Sequence, residues 1–253
     1  LAFYDAFQKN TQRFGTNVFM VLRKSSLFNN KRILIIAPHP DDDVIGCGAF
    51  LYFLHKNIQS SEVHIAYATS GAGGISGESS TPKEKGARRE KEAVAGCECL
   101  GATPVFWRLP FYFEKKRTVG LEDSEIIQKS IQEIKPDIIF VIDEASDPNG
   151  THGIIRDLCA RALKNIKFGG EIFGYRVWSE PYNKDESDVV VEFNEDVMKQ
   201  KERLILFHES QINDPAHPHQ DDDFITMIKK SNRVASKNVG SKYKYAELYK
   251  RIY

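Results

Sequence analysis

The segment Ala37–Gly48, APHPDDDVIGCG, sets a histidine and three consecutive aspartates directly after an apolar run, RILIIA over residues 32–37. His39 and Asp42 lie three positions apart in a turn that enters a helix, so both side chains can converge on one ion. A second polar loop, Asp147-Pro148-Asn149-Gly150-Thr151-His152, follows shortly after another apolar run, DIIFVI over 137–142. His152 completes a set of two imidazoles and one carboxylate. Such a set leaves a coordination position open for water, which marks a catalytic rather than a closed structural zinc site. An ion held there lowers the pKa of a water and polarises a substrate carbonyl. Asp41, next to the ligands, is the expected acceptor of the water's proton. Asp43 is expected to cap the helix or to support a histidine ligand. Three acids are tolerable at this point because a helix N-terminus favours negative charge. A magnesium site for phosphoryl transfer is the competing reading of HPDDD, and the histidine argues against it.

Other polar segments carry weaker signals. The loop TSGAGG, residues 69–74, lacks both the GxGxxG dinucleotide spacing and the Lys-Ser/Thr ending of a P-loop. It reads as an active-site wall with close backbone approach. His208, inside an amphipathic stretch, reads as a structural residue. His217 and His219, in AHPHQDDD, read as part of a flexible surface loop before a metal site. Asn149-Gly150-Thr151 matches a glycosylation acceptor by chance.

These residues must be positioned by alternating strands and helices. Strands are expected at 32–37, 62–68, 105–109 and 137–142, and helices at 44–56, 83–100, 123–134 and 154–166, with Gly101 closing the second helix. The βαβα rhythm implies a mainly parallel sheet with helices on both faces, and such sheets bind ligands beyond the carboxyl ends of their strands. After Gly170 the expectation is two edge strands (171–178 and 188–193), a helix over 195–211, a polar loop, and a short helix over 245–252. The whole of 1–253 reads as one α/β domain, with 1–30 as an N-terminal extension and 212–253 as a C-terminal loop and helix.

Composition narrows the function classes. Lys plus Arg and Asp plus Glu number 35 each, so no global basic field recruits nucleic acid or a lipid surface. No apolar run reaches the roughly 18–20 residues of a membrane span, and the first residues lack the pattern of a signal peptide. Cys47, Cys97, Cys99 and Cys159 form no disulfide-framework or CxxC spacing, which fits a reducing compartment, and a cytoplasmic location is expected.

Taken together, the motifs resemble the PIG-L/LmbE-like deacetylases of N-acetylglucosamine conjugates. APHPDDDVIGCG is similar to that family's (A/P)HPDD(E/D) hallmark, and TSGAGG to its Thr-x-Gly-x-x-Gly loop. Arg89-x-x-Glu92 followed by Leu100-Gly101, the segment IKPDIIFVIDEASDPNGTHG, and Lys201 through His208-Glu209-Ser210-Gln211 resemble three further family motifs. The resemblance spans roughly residues 32–211. It implies a Rossmann-like three-layer α/β sandwich, with His39, Asp42 and His152 as ligands of Zn2+ (another divalent transition metal being compatible) and Asp41 as general base. Arg89 would form the sugar pocket or hold the loop around it, with Trp178 and the backbone at Gly73 as further sugar contacts. The implied partner is a small-molecule amino-sugar conjugate, and a homo-oligomer is compatible. One position departs from the family: Asn149 stands where a histidine is usual. Asparagine can donate to an oxyanion but supplies no proton near neutral pH, so Asp41, or His217 or His219, would protonate the leaving amine. The alternatives are a hydrolase of another amide, ester or phosphoester, and a saccharide-binding module with little turnover.

Overall fold

The structure is a computed structural model that describes residues 19–76, 79–113, 118–144, 150–212 and 223–252. Eight strands form one sheet in the order β1-β7-β8-β6-β5-β2-β3-β4. The strands are β1 (Met20–Leu22), β2 (Arg32–Ala37), β3 (Glu62–Tyr67), β4 (Thr103–Phe106), β5 (Ile138–Ile142), β6 (Glu171–Tyr175), β7 (Val189–Phe193) and β8 (Tyr245–Arg251). Strands β4, β3, β2, β5 and β6 are mutually parallel, and β8, β7 and β1 extend that sheet as an antiparallel wing. The helices are α1 (Asp42–Asn57), α2 (Pro82–Leu100), α3 (Leu121–Ile134), α4 (Thr151–Asn165), α5 (Glu195–Ile205), α6 (Glu209–Ile212) and α7 (Phe224–Asn238).

The continuous apolar runs of β2 and β5 occupy the centre of the sheet, where both faces are covered. Every residue from Ile33 to Ala37 and from Ile138 to Ile142 is buried. Ile36 pairs with Val141. The two strands therefore end side by side, and the loops that carry HPDDD and His152 leave the same edge. An aromatic cluster fastens α1 to the sheet behind that edge: Phe50 lies 4.8 Å from Phe140, and Phe140 lies 5.1 Å from Tyr249 in an edge-to-face contact. Ring pairs of this kind add to the area they bury.

One turn beyond Asp42, a buried ion pair joins the hydrogen-bond ladder of α1. The Glu247 carboxylate accepts from Ala49 N at 2.8 Å and Phe50 N at 2.9 Å. Lys201 Nζ donates to Ile45 O at 2.6 Å, to Asn232 Oδ1 at 3.0 Å and to Glu247 at 2.7 Å. Tyr249 Oη donates to Glu247 and Gly46 O. The glycines of the motif make room for this packing: a Cβ on Gly46 would stand 2.3 Å from the Tyr175 ring, and one on Gly48 would stand 3.0 Å from Lys201 Cγ.

Several sequence expectations need correction. Residues 245–251 form β8, not a helix, because Tyr245, Ala246, Leu248 and Tyr249 are buried between β7, α7 and the core, while Glu247 finds Lys201. The helix at this end of the chain is α7, capped by Asp223, whose side chain accepts from Thr226 N at 2.7 Å. The stretch 195–211 is two helices, interrupted at Leu206–His208. The third strand spans 103–106 rather than 105–109. Within the N-terminal stretch, residues 20–28 pack on the domain: β1 pairs with β7, and Phe28 is fully buried. Among the described residues, no helix is long and apolar enough to cross a membrane.

Candidate metal centre and active site

The HPDDD turn is held in an unusual conformation. Asp41 has φ 149° and ψ −28°, a region that favours glycine, so the backbone is strained there. Arg89, from α2, clamps the turn: its guanidinium pairs with Asp41 Oδ2 at 2.9 Å and donates to Pro40 O at 2.7 Å and Gly71 O at 2.8 Å. Thr69 Oγ1 donates to Pro38 O at 2.9 Å on the other side. Gly71 (φ +62°) is required by this clamp, because a Cβ there would meet the guanidinium at 2.3 Å. TSGAGG is therefore a buttress for the turn, closed from outside by Gln211 Nε2 donating to Gly74 O and by Ser210 donating to Glu92.

His39, Asp42 and His152 each place a donor atom within 4.8 Å of the others. Asp42 Oδ2 lies 3.2 Å from both His39 Nδ1 and His152 Nε2. Donors about 2.0–2.1 Å from a zinc ion at tetrahedral angles stand roughly 3.3 Å apart. The spacing and the chemistry of the set thus fit a divalent metal. His152 is buried in the first turn of α4, whereas the His39 side chain keeps 15 % of its surface exposed, so the open side of the site is beside His39.

Glu144 fixes the orientation of His152. Its Oε2 lies 2.6 Å from His152 Nδ1, and its Oε1 accepts from the backbone N–H groups of Val177, Trp178 and Ser179 at 2.7, 2.5 and 2.7 Å. A proton on Nδ1 leaves the Nε2 lone pair facing Asp42 and any ion beside it. Asp43, expected from the sequence to cap the helix or to support a histidine, accepts from Tyr67 Oη at 3.0 Å. The supporting role passes to Glu144 because β5 delivers it next to His152.

Electrostatics separate the three aspartates. Burial opposes ionisation of Asp42, but His152 and His39 outweigh it and hold its carboxyl far below the usual range. Burial pushes Asp41 up to about 8, with Arg89 pulling the other way and Asp42 and Asp43 adding to the rise. Burial also raises Asp43 to about 7, against the Tyr67 hydrogen bond. Burial disfavours the charged form of His152, yet Asp42 and Glu144 lift it to about 11. The His39 imidazole is lowered by burial, with Asp42 opposing. A metal and a proton thus compete for the same donors.

The remaining sequence-derived residues fall out differently. Arg89 is 2 % exposed and spends its donors on the turn, so it is a clamp rather than an open sugar contact. Gly73 lies at the surface, and its N–H donates to Tyr112 Oη at 3.1 Å. Tyr112, which the sequence reading missed, stands with its ring 6.2 Å from that of His39. Trp178 is half-buried and packs 6.1 Å from Phe224. His208 is buried at the break between α5 and α6, and burial lowers it to about 3, with the Arg89 charge adding to the effect. Asn149, His217 and His219 lie outside the described residues.

Residues 34–163, 130 of the 253, match the profile of the family PIG-L, described as GlcNAc-PI de-N-acetylase. A glucosamine-6-phosphate deaminase-like protein of Bacteroides thetaiotaomicron is 28 % identical over 242 aligned residues, covering 72 % of this chain and 36 % of that protein. The chain thus spans about a third of the length of this curated relative. The N,N'-diacetylchitobiose deacetylase of Pyrococcus horikoshii superposes with a TM-score of 0.68 at 21 % identity, covering 88 % of this chain and 84 % of the other. The 4-carboxy-2-hydroxymuconate hydratase GalB of Pseudomonas putida superposes with a TM-score of 0.62 at 17 % identity, covering 88 % and 96 %. At these identities the structural likeness speaks for the fold.

Proposed function

The chain belongs to the PIG-L family, and on that premise we propose that it is a zinc-dependent hydrolase that removes the N-acetyl group from an N-acetylglucosamine-type sugar conjugate. The observation that carries this reading is the division of labour in HPDDD: Asp42 shares one oxygen with two imidazoles, while Asp41 pairs with Arg89. His39, Asp42 and His152 would hold a divalent ion, which would supply a Lewis acid for the acetamide carbonyl and would acidify a water. Asp41 takes the proton of the attacking water, a task that suits a carboxyl raised towards neutrality. Asn149 donates to the developing oxyanion, and Asp41 returns its proton to the leaving amine, with His217 or His219 as the alternative acids. Trp178 and the rim at Gly73 and Tyr112 supply sugar contacts, since aromatic faces suit sugar rings. Arg89 acts through Asp41. Another divalent transition metal fits the same donors. The architecture is read as a single Rossmann-like three-layer domain.

The same fold carries a hydratase, so the fold does not decide the reaction class. Asn149 also keeps a saccharide-binding module with weak turnover in view. The deciding experiment measures acetate release over a panel of N-acetylglucosamine conjugates, free sugar included, with the metal content defined and with other acyl and phosphate esters alongside. Acetate release from at least one conjugate is expected, and Asp41→Ala should lower turnover by about 10²–10⁴-fold while zinc still binds. Zinc-loaded protein that binds saccharide and releases no acetate would establish the binding module instead. An Asp41→Ala variant with unchanged turnover would remove the base from Asp41.

A further inference from the structure

We infer that Glu144 is a positioning residue that ties the 176–182 loop, with Trp178 on it, to the metal ligand His152, so that loop and metal site are one coupled unit. The inference rests on the metal reading above. It goes further in assigning a role to a residue outside the HPDDD and His152 motifs and in linking the site to a wall that lies beyond it.

The side chain of Glu144 is completely buried and uses its two oxygens for two different jobs. One oxygen holds the His152 imidazole at 2.6 Å, and the other sits in a nest of three consecutive amides, Val177 to Ser179. Successive N–H groups converging on one oxygen form an anion-binding nest, which the loop keeps only while its backbone stays in this conformation. The preceding residue strengthens the link: Asp143 Oδ2 accepts from Tyr182 Oη at 2.6 Å, so two adjacent acids after β5 hold both ends of the loop. Within the loop, Arg176 lies 4.0 Å from the Tyr182 ring centroid and donates to Glu180 O. The loop therefore behaves as a closed unit.

Its other side is not packed solid. Residues 176–182 line a cavity of about 270 Å³, bounded by Ile45 and Gly46 of α1 and by Met227 and Ile228 of α7. Beside it, Trp178 packs on Phe224 at the start of α7. The loop thus has room to shift on one side and a fixed anchor, Glu144, on the other. Loss of the nest frees the Glu144 carboxylate to turn, and His152 loses the partner that sets its tautomer. Coupling of this kind is reciprocal: whatever orders the loop favours metal, and metal favours the ordered loop.

Glu144→Gln tests the link without changing shape. A glutamine whose oxygen stays in the nest presents its NH2 to His152 Nδ1, which then needs a lone pair there. The proton moves to Nε2, the atom that faces Asp42, and the metal loses a ligand. Partners of this type change metal affinity by about 10–100-fold.

The experiment uses the full metal-free chain carrying Trp107→Phe, which leaves Trp178 as the sole tryptophan of the two. Zinc is titrated with calorimetry and tryptophan emission read together. The expected result is one zinc bound with a shift in Trp178 emission, a loss of about 10–100-fold in affinity in the Glu144→Gln version, and no emission shift there at saturation. Amide hydrogen exchange at 177–179, measured in the unaltered chain with and without zinc, needs no variant and should slow by about tenfold or more on loading, as expected for an ordered loop. Zinc binding with no change in exchange at 177–179, or an undiminished affinity and emission shift in Glu144→Gln, would overturn the coupling alone. No zinc binding by the unaltered chain would overturn the metal reading as well.

Discussion

Two polar clusters share helix α1, and they are built to opposite ends. Behind Asp42, the Lys201–Glu247 cluster is complete: the three ammonium protons have three acceptors, and both carboxylate oxygens each accept twice. At the front, His39, Asp42 and His152 each place a donor atom within 4.8 Å of the others. A completed network has nothing left to offer a ligand and serves the fold. A convergent set of donors gains most from an ion placed among them. The rear cluster pairs a lysine, a glutamate, an asparagine and a tyrosine with one another, whereas the front gathers two imidazoles around one carboxylate oxygen.

The largest effect should come from breaking the front. Asp42→Ala is expected to abolish zinc binding and turnover together, because it deletes the oxygen common to both imidazoles, and a chain that still binds zinc stoichiometrically in calorimetry would place the metal elsewhere. Breaking the rear should instead cost stability. Lys201→Met leaves the Glu247 charge buried and is expected to destabilise the fold by about 3–5 kcal/mol in chemical denaturation, whereas Lys201→Met with Glu247→Leu should recover most of that loss. If the double variant is no better than the single, the rear cluster is not the self-contained pair described above.

A smaller effect sharpens the boundary between the two. His208 lies buried under the influence of Arg89 and Asp42, and its folded value of about 3 lies below the ordinary value for histidine, about 6.5. The neutral imidazole therefore contributes stability that is fully present above pH 6.5 and is lost as the pH falls from there towards 3. Between pH 6.5 and 5 the loss amounts to about 2 kcal/mol, at roughly 1.4 kcal/mol per unit. His208→Leu should flatten the acid side of the stability profile by that amount, measured by denaturant unfolding across pH. An unchanged slope would mean that His208 is accessible to protons in the native state.

Much of the site was readable from local patterns. The spacing of His39 and Asp42 lies within a single turn, and the buried runs of β2 and β5 announce themselves as continuous apolar strings. His152 followed from its place just after the second of these. The role of Arg89 was half legible, since the sequence offered sugar contact and loop support together, and only the packing against Pro40, Gly71 and Asp41 separates them. Glu144 gave little signal beyond an acid after a buried strand. Tyr112 gave none, because its approach to His39 crosses more than seventy positions. The error at 245–251 has a related cause: YAELYKR carries a charged residue in the middle of a buried strand, and its partner Lys201 is 46 residues away.

The chain's order of residues was thus enough to mark His39 and Asp42 as candidate donors in one turn and to give the parallel centre of the sheet, both of which depend on neighbours in a turn or on the period of a strand. The partners that make those donors usable were settled by folding. Strand order brings β2 beside β5, and with them come the meeting of HPDDD with His152, the seat of Glu144 in the 177–179 amides and the grip of Arg89 on the strained turn. Contacts of that kind depend on which strands become neighbours, and no local period of the sequence encodes that choice.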